Sequence, residues 1–426
     1  MDNPYTTQLQ YAAHDKTTSH MEHIAKTENI PLDTLKKGIA DGHIVIPCNV
    51  NHECTPVGIG KGLKKKVNAN IGTSLVRANI KEELSKLKAA IKAGTDTIMD
   101  LSIGGDIDYI RRCILKECNI PVGTVPVYQA ALKAKDVINM DINTFLSVFE
   151  KQAKDGIDFA TVHAGVTLKA VPYLKNRLMK CVSRGGSLIL KWMRHTQKEN
   201  FLYTHFDDIL EIAKEYDVTM SLGDGLRPGC IKDATDKAQL HELKILGTLA
   251  DACRKKGVQV MIEGPGHVPL NDIKKNVVLQ KKYCKGAPFY VLGPLPTDIA
   301  AGYDHIACSI GGALAGFYGA DFLCYVTPKE HIGLPNITDV KEGVIVTKIA
   351  AHIADVATGN PQAVKREHLM AQARKNINWN EMVKYVIDPE KFVELRKKEC
   401  ALTPEMDKAD HCSMCGEFCA LKVYEE

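Results

Sequence analysis

Short apolar runs alternate with amphipathic helical patterns through the middle of the chain. In the helical patterns, apolar residues recur at three- and four-residue spacing, for example over 81–93 and 206–216. Eight strands that alternate with helices predict an α/β fold, a closed (β/α)8 barrel of the TIM type, with an open doubly wound sheet as the alternative. The eight predicted strands are 96–101, 121–127, 158–163, 187–190, 217–222, 258–263, 288–292 and 321–326.

The same patterns divide the chain into three predicted parts. Residues 1–70 carry two helical patterns and a short apolar run, and we expect them to form a small N-terminal cap. Residues 71–345 are expected to form the barrel. Residues 346–426 are expected to form a helical C-terminal domain that ends in a polar tail.

Polar residues and glycines follow five of the predicted strands. Barrel enzymes hold their active sites at the carboxyl ends of the strands, where these loops must lie. Five such loops at one end are hard to explain by stability alone, so we expect a catalytic or binding site there. The loops begin at Asp100, His163, Gly223, Glu263 and Gly293.

Composition and charge exclude few classes of protein. The 426 residues are 45% hydrophobic and 25% charged, and 55 basic against 51 acidic residues leave a net charge of +4. This near balance gives little support to binding of nucleic acid or of a membrane surface. The first 30 residues have no apolar signal region, and no uncharged apolar run reaches ~18 residues. We therefore expect a cytoplasmic protein.

Three of the 14 cysteines form a tight cluster in the tail, Cys412, Cys415 and Cys419. Thiolates suit an iron–sulfur cluster or zinc. A structural zinc site needs four protein ligands, and His411 adjoins Cys412, so the two side chains converge poorly on one ion. The spacing favours a [4Fe–4S] cluster with one open iron, with zinc and an incidental grouping as alternatives.

An open iron suits S-adenosylmethionine (SAM), which can chelate it through its amino and carboxylate groups. An electron from such a cluster cleaves SAM into methionine and a 5′-deoxyadenosyl radical, which the protein must shield from oxygen and solvent. The usual radical SAM motif is Cys-x3-Cys-x2-Cys and lies near the N-terminus of the barrel. Here the spacing is reversed, to Cys-x2-Cys-x3-Cys, and the motif follows the barrel in the chain. We expect an oxygen-sensitive radical SAM enzyme.

Long motifs in a fixed order cover nearly the whole chain, including VNANIGTS, IMDLSIGG, VGTVPVYQA, SLGDGLRPG, VQVMIEGPGHVP, DFLCYVTPKEHIGLP and CSMCGEFC. With these motifs the chain resembles the family of phosphomethylpyrimidine synthase and its sister 5-hydroxybenzimidazole synthase. The resemblance implies a (β/α)8 barrel and a radical SAM lyase that rearranges 5-aminoimidazole ribotide (AIR). It also implies a homodimer in which each tail reaches the partner's active site.

The resemblance further implies the site residues. Cys412, Cys415 and Cys419 would hold the [4Fe–4S] cluster, His267 and His331 would hold zinc, and Glu263 and His163 would join the cysteines in catalysis. The implied substrate contacts are Asn70, Met99, Tyr128, His163, Ser183, Arg184, Gly185, Asp224, Gly225, Leu226, Arg227, Glu263 and Tyr290.

These residue types suit AIR, which carries a phosphate, a ribose and an aminoimidazole. Arg184 and Arg227 suit the phosphate, Asp224 and Glu263 suit ribose hydroxyls or protons, and His163 suits the ring. Taken singly, such residues more often form turns or fill a core. A flavodoxin-type or ferredoxin-type reductant is an implied partner, and a need for a paralogous partner is left open.

Three positions bear on which product is made. In phosphomethylpyrimidine synthase, the enzyme of thiamine synthesis, we expect Pro and Thr where this chain has Ala301 and Ala307. We also expect Thr there where this chain has Ile103. Loss of the proline gives the backbone at position 301 more conformational freedom. Loss of a hydroxyl at positions 103 and 307 makes both positions less polar. We therefore favour 5-hydroxybenzimidazole for the cobamide (vitamin B12) lower ligand, with hydroxymethylpyrimidine phosphate for thiamine as the alternative. An iron–sulfur electron carrier and a zinc-dependent barrel hydrolase are alternatives from other classes.

Overall fold

The computed structural model describes residues 5–402 and 411–423. The chain separates into two compact units, one that ends at Ala354 and one that begins at Asp355. Residues 1–4 of the predicted cap, and residues 403–410 and 424–426 of the predicted C-terminal domain, lie outside the described residues.

Eight parallel strands close into a barrel in the first unit. The described residues contain ten strands, of which β3–β10 form the barrel and β1 and β2 form a separate antiparallel pair. In chain order they are Ile44–Val45 (β1), Ile59–Gly60 (β2), Lys66–Ile71 (β3), Thr97–Asp100 (β4), Val122–Thr124 (β5), Phe159–Val162 (β6), Thr219–Leu222 (β7), Val260–Gly264 (β8), Phe289–Leu292 (β9) and Phe322–Cys324 (β10). The barrel order is β10-β3-β4-β5-β6-β7-β8-β9, and β10 pairs with β3 at Phe322 and Lys66. This closure confirms the predicted (β/α)8 barrel, and the open-sheet alternative is wrong.

Helices surround the barrel and make up the second unit. They are Gln8–Ala13 (α1), Ser19–Glu28 (α2), Leu32–Ala40 (α3), Ile80–Lys92 (α4), Ile107–Glu117 (α5), Pro126–Lys133 (α6), Ile142–Asp155 (α7), Arg184–Thr196 (α8), Phe201–Thr204 (α9), Phe206–Tyr216 (α10), Lys237–Lys256 (α11), Leu270–Tyr283 (α12), Asp304–Tyr318 (α13), Ile337–Ala357 (α14), Pro361–Lys375 (α15), Trp379–Met382 (α16), Pro389–Leu402 (α17) and Ala420–Val423 (α18). None of the described helices combines the length and the apolar character that a membrane crossing requires.

One predicted strand, 187–190, is wrong, because this segment lies inside helix α8. Ser183 caps the helix by accepting a hydrogen bond from the N–H of Gly186 at 3.1 Å. The apolar run continues as a buried helical face through Trp192 and Met193. A short apolar run fits a strand and a buried helix equally well. Here the N-cap at Ser183 and the helical spacing of the buried residues show that the segment is a helix.

The eighth strand is β3, which begins at Lys66 inside the range predicted for the cap. Its sequence alternates apolar Val67 and Ala69 with Asn68 and Asn70, so it reads as polar on one side. In the barrel the side-chain amide of Asn68 donates to Asn70 Oδ1 at 2.8 Å, which satisfies a polar pair that points into the interior.

The cap covers the amino ends of the barrel strands. Helices α1–α3 and the antiparallel β1–β2 pair share a small apolar core that includes Met21, Leu35 and Ile39. The N–H of Gln8 donates to Asp217 Oδ2 at 3.0 Å, just before β7. Since the cap closes this end, the carboxyl ends of the strands are left for the site.

The second unit contains the last residues of α14, helices α15–α18 and the cysteine tail. The boundary predicted after residue 345 falls within α14. Within the unit, Arg366 Nε donates to the carbonyl of Tyr385 at 2.8 Å, and the Arg396 guanidinium lies 4.3 Å from the ring centre of Trp379.

Replacement of Arg111 by Ala tests how the helices around the barrel are held together. The Arg111 side chain is 1% exposed and binds Asp155, Asp108 and Gln129, so it links helices α5, α6 and α7. Its loss removes a buried cation that pairs with the half-buried carboxylates of Asp155 and Asp108, and we expect the free energy of unfolding to fall by roughly 3 kcal/mol in denaturant titrations. The exposed neighbour Arg112, changed to Ala, is the control and should change the stability by about 0.5 kcal/mol or less. Equal effects of the two changes would contradict this role of Arg111.

Candidate active site

A cavity opens at the carboxyl ends of the barrel strands. It encloses about 510 Å³, including the space open to solvent at its entrance. Eight of the predicted substrate-binding residues contribute to its wall. The lining residues are Asn70, Met99, Leu101, Val125, Tyr128, Thr161, His163, Asp224, Arg227, Glu263, Gly264, Tyr290, Leu292 and Cys324.

Glu263 lies near the end of β8 with its carboxylate in the cavity wall. Its Oε1 accepts hydrogen bonds from Thr161 Oγ1 at 2.6 Å and from Ser221 Oγ at 2.7 Å. Burial raises the pKa of Glu263, and these two hydroxyls oppose that rise. Because both hydroxyls bind one oxygen, the carboxylate is held in one orientation in the cavity wall.

Asp224 and Arg227 form an ion pair in the turn after β7. Arg227 Nη1 donates to Asp224 Oδ1 at 3.1 Å. The second oxygen, Oδ2, is buried and has no hydrogen-bond partner within residues 5–402 and 411–423. Burial raises the pKa of Asp224 to about 7, although the Arg227 charge acts against it. A buried oxygen without a partner favours a ligand that brings a donor.

His163 follows β6 and is almost fully buried. Burial, and then the charge of Arg227, lower the pKa of His163 to about 3, so the imidazole is neutral at physiological pH. Its Nδ1 is another buried atom for which the described part of the chain offers no partner. A side chain at Gly185 would meet the ring at 2.2 Å, so the glycine is required for helix α8 to lie against His163.

Basic side chains lie at the wider outer opening of the cavity. Arg184 and Arg227 contribute to this opening, together with Arg77 and Lys86, which are paired with Glu82 and Glu83. The Arg184 guanidinium lies 4.9 Å from the ring centre of Tyr128, near the start of α8. A helix N-terminus beside cationic side chains suits a phosphate group.

The remaining predicted contacts have structural partners in the same turns. The N–H of Leu226 donates to Glu242 Oε2 at 2.8 Å, and the Leu226 side chain is buried. A side chain at Gly186 would meet the carbonyl of Gly225 at 2.1 Å. Ser183 caps α8, as described above. These residues hold the walls in place, and they do not line the cavity.

Asn70, Tyr290 and Met99 form the floor of the cavity with Cys324. Asn70 Nδ2 donates to Cys324 Sγ at 3.2 Å, and the ring of Tyr290 stacks on Phe322 at 4.2 Å between ring centres. Met99 is 5% exposed. The floor is therefore uncharged and well packed, in contrast to the charged opening.

The two predicted metal-binding histidines are brought together by loops that follow different strands. The ring centres of His267 and His331 lie 5.3 Å apart. His267 Nδ1 contacts Asp298 Oδ1 at 2.8 Å, and His331 Nδ1 contacts Asp304 Oδ2 at 3.2 Å. A carboxylate on one ring nitrogen orients the other nitrogen toward a metal, which is the usual arrangement around zinc-binding histidines.

The tail cysteines lie on consecutive tight turns. The N–H of Gly416 donates to the carbonyl of Cys412 at 3.1 Å, and the N–H of Cys419 donates to the carbonyl of Gly416 at 3.2 Å. Gly416 has a φ of +54°, which favours glycine. Cys415 is exposed, and Cys412 and Cys419 are half-buried. Three accessible thiols on these turns are the donor set of an iron–sulfur cluster, although their sulfurs do not all lie within 4.8 Å of one another.

Comparison with known proteins adds a family to this geometry. Residues 7–426 match the model of the Radical SAM ThiC family. The chain belongs to the Radical SAM ThiC family. Membership of the family confirms a radical SAM enzyme, which implies a [4Fe–4S] cluster and SAM, and it does not fit the electron-carrier and zinc-hydrolase alternatives.

Several relatives that share one name match the chain over almost their full length. A phosphomethylpyrimidine synthase from Thermoanaerobacter sp. (strain X514) is 54% identical, with 99% of this chain and 98% of that protein covered. One from Caldanaerobacter subterraneus subsp. tengcongensis is also 54% identical, with the same coverage. One from Desulforamulus reducens is 51% identical, with 98% and 97% covered.

A solved structure with some likeness is a dihydropteroate synthase from Coxiella burnetii. It covers 69% of this chain and 94% of that chain, at a TM-score of 0.40 and 14% identity. This similarity is too low to carry an argument, and the barrel is established by its own strand pairing.

The preference for 5-hydroxybenzimidazole as the product is not supported. The relatives at 51–54% identity carry the name phosphomethylpyrimidine synthase. The three positions used for that preference also do not line the inner cavity. Ala301 is exposed, Ala307 is buried in helix α13, and Ile103 lines only the outer opening.

Sequence reasoning missed the residues that orient the site. Thr161 and Ser221 lie inside strands, where hydroxyl residues are common and carry no signal of a ligand. Asp298 and Asp304 lie in a loop and at a helix start, where aspartate is expected for local reasons. Only the fold shows that all four contact a candidate functional side chain.

The raised pKa of Asp224 predicts a change of stability with pH. The folded chain keeps this proton up to about pH 7, whereas an unfolded aspartate loses it near pH 4. Between these values the folded state binds more protons, so the contribution of Asp224 to stability falls as pH rises. In Asp224→Asn this loss is absent, and the free energy of unfolding relative to wild type should rise by roughly 2–3 kcal/mol between pH 5 and pH 8.

Denaturant titrations at the two pH values measure this difference. The exposed Asp207, changed to Asn, is the matched control for the loss of a carboxylate. A difference between Asp224→Asn and wild type that stays constant with pH would contradict the raised pKa of Asp224.

Proposed function

We propose that the chain is a phosphomethylpyrimidine synthase, a radical SAM lyase that converts AIR into hydroxymethylpyrimidine phosphate for thiamine synthesis. The observation that carries the proposal is the cavity, in which Glu263, Asp224 and neutral His163 lie below a cationic opening. The names of the relatives support the choice of product.

The cavity offers a complementary group for each part of AIR. Arg184 and Arg227 would bind the phosphate, because both guanidinium groups lie at the outer opening. Asp224 Oδ2 and the second oxygen of Glu263 would accept hydrogen bonds from ribose hydroxyls. His163 and Tyr128 would contact the imidazole ring, and the unpartnered Nδ1 of His163 would bind a ring substituent.

The cofactors have candidate ligands in this chain. Cys412, Cys415 and Cys419 would hold a [4Fe–4S] cluster with one open iron for SAM, and the bound cluster would supply the electron that cleaves SAM. His267 and His331 would hold zinc through Nε2, since Asp298 and Asp304 contact the Nδ1 atoms. Buried apolar residues such as Met99 would keep water from the reacting centre.

The proposal includes partners and location. A flavodoxin-type or ferredoxin-type protein would reduce the cluster, and a homodimer would place each tail at the partner's cavity. A single exposed thiol, Cys415, and its half-buried neighbours suit a segment that completes a site on another surface. A cytoplasmic location fits the need for a low-potential reductant.

Anaerobic turnover of the full chain with AIR, SAM and a reductant tests the product. Mass spectrometry should find hydroxymethylpyrimidine phosphate as the main product, and a reaction without SAM should give none. If 5-hydroxybenzimidazole is the main product, the proposed activity is wrong and the sister activity replaces it.

Replacement of Cys415 by Ala tests the cluster ligands. SAM cleavage should be abolished, because two thiolates cannot hold the cluster, while the circular dichroism of the barrel stays unchanged. Cys400→Ala is the matched control, since Cys400 lies in α17 outside the motif, and it should cleave SAM normally. Cleavage that persists in Cys415→Ala would exclude this thiol as a ligand.

Replacement of Arg227 by Ala tests the phosphate contact. Affinity for AIR, measured by calorimetry, should weaken by ~2–4 kcal/mol, because a charged hydrogen-bonded contact is lost. Arg194→Ala is the control, because Arg194 is exposed near the far end of α8. Unchanged affinity in Arg227→Ala would count against the role of this arginine.

A further inference from the structure

A second group of metal-binding side chains lies at the end of the barrel opposite the cavity. Cys48 and Cys54 belong to the segment between β1 and β2, and Asp158 immediately precedes β6. The two sulfurs and a carboxylate oxygen of Asp158 all lie within 4.8 Å of one another. Within the described residues, no other group of three such side chains is this compact.

The two thiols contact each other and are flanked by an imidazole. Cys48 Sγ lies 3.4 Å from Cys54 Sγ and 3.8 Å from Nε2 of His20, on helix α2. The side-chain amide of Gln8 lies 3.2 Å from the other ring nitrogen of His20 and fixes the orientation of the ring. Two sulfurs and one carboxylate oxygen therefore face a common point, and the imidazole of His20 lies beside this group in contact with Cys48.

The charges around this point favour a cation. The Cys54 thiol, and then His20, lower the pKa of Cys48. Asp158 is fully buried, and its Oδ2 is engaged by His52 Nδ1 at 2.8 Å. Two sulfurs and a carboxylate lie close together out of water, so a divalent cation would offset the repulsion between their ionised forms.

The group is reachable from solvent. His20, Cys48, His52 and Cys54 line a groove at the surface between the cap and the barrel. Cys54 is half-buried, so an ion can enter without opening the core.

We propose that Cys48, Cys54 and His20, together with Asp158, form a binding site for a thiophilic divalent cation, with zinc as the ion of choice. Two thiolates, an imidazole and a carboxylate are the donor types that zinc takes in four-coordinate sites. The ion joins helix α2 and the loop after β1 to the amino end of β6. Since four protein ligands leave no open position, the role of the site is to fasten the cap to the barrel.

Cysteine footprinting of the full chain tests the site. The protein is purified anaerobically with a reductant, stripped with a chelator and alkylated with and without added zinc, and each cysteine is quantified by peptide mass spectrometry. Zinc should slow the alkylation of Cys48 and Cys54 together. Cys113, a half-buried thiol on α5 outside the group, should react at the same rate in both conditions.

Two isosteric variants supply the second measurement. Cys48→Ser and Cys54→Ser should each lose about one equivalent of tightly bound zinc relative to wild type, and their thermal midpoint should no longer rise with zinc. Cys113→Ser is the control and should keep both properties. Zinc bound at His267 and His331, or by the tail cysteines, is unaffected by these changes and cancels in the comparison.

Three results would overturn the proposal. One is equal alkylation of Cys48 and Cys54 with and without zinc in the wild-type chain, which requires no variant to fold. Another is an unchanged zinc content in both serine variants. The third is recovery of a Cys48–Cys54 disulfide as the main species in anaerobic, non-reduced protein, which would make the two thiols a redox pair.

Discussion

Closure of the parallel sheet between β10 and β3 is the constraint on which the rest of the first unit depends. A closed barrel has no edge strand. Because all eight strands are parallel, their carboxyl ends meet at one rim of the barrel. Residues as distant in sequence as Asn70 and Tyr290 become neighbours for this reason. The cavity is thus a consequence of strand direction, and its chemistry depends on which side chains follow each strand.

Burial gives those side chains their properties. Out of water, His163 stays neutral and the pKa of Asp224 rises toward 7, because the charged forms lose their solvation. The hydroxyls of Thr161 and Ser221 compensate part of that loss for Glu263. The polar atoms left without partners, on His163 and Asp224, raise the energy of the empty cavity and favour a ligand that supplies the missing hydrogen bonds.

The two ends of the barrel have different roles: the carboxyl end holds the candidate active site, and the amino end stabilises the fold. The carboxyl end holds the cavity and the His267–His331 pair. The amino end holds the cap, where Gln8 and Asn49 bind aspartates that precede barrel strands. Such a division is typical of barrels, since the loops at one rim can vary without disturbing the packing at the other.

The amino-acid sequence by itself determined the family, the barrel and seven of its eight strands, because long motifs and apolar periodicity are local properties. It misplaced the eighth strand, since an asparagine-containing strand such as β3 looks polar until a barrel interior pairs its amides. Only the tertiary structure decided that Asp298 and Asp304 orient the two histidines, and that Cys48 lies beside Cys54 and Asp158. Contacts between residues far apart in sequence arise from chain closure, and no local pattern encodes their geometry.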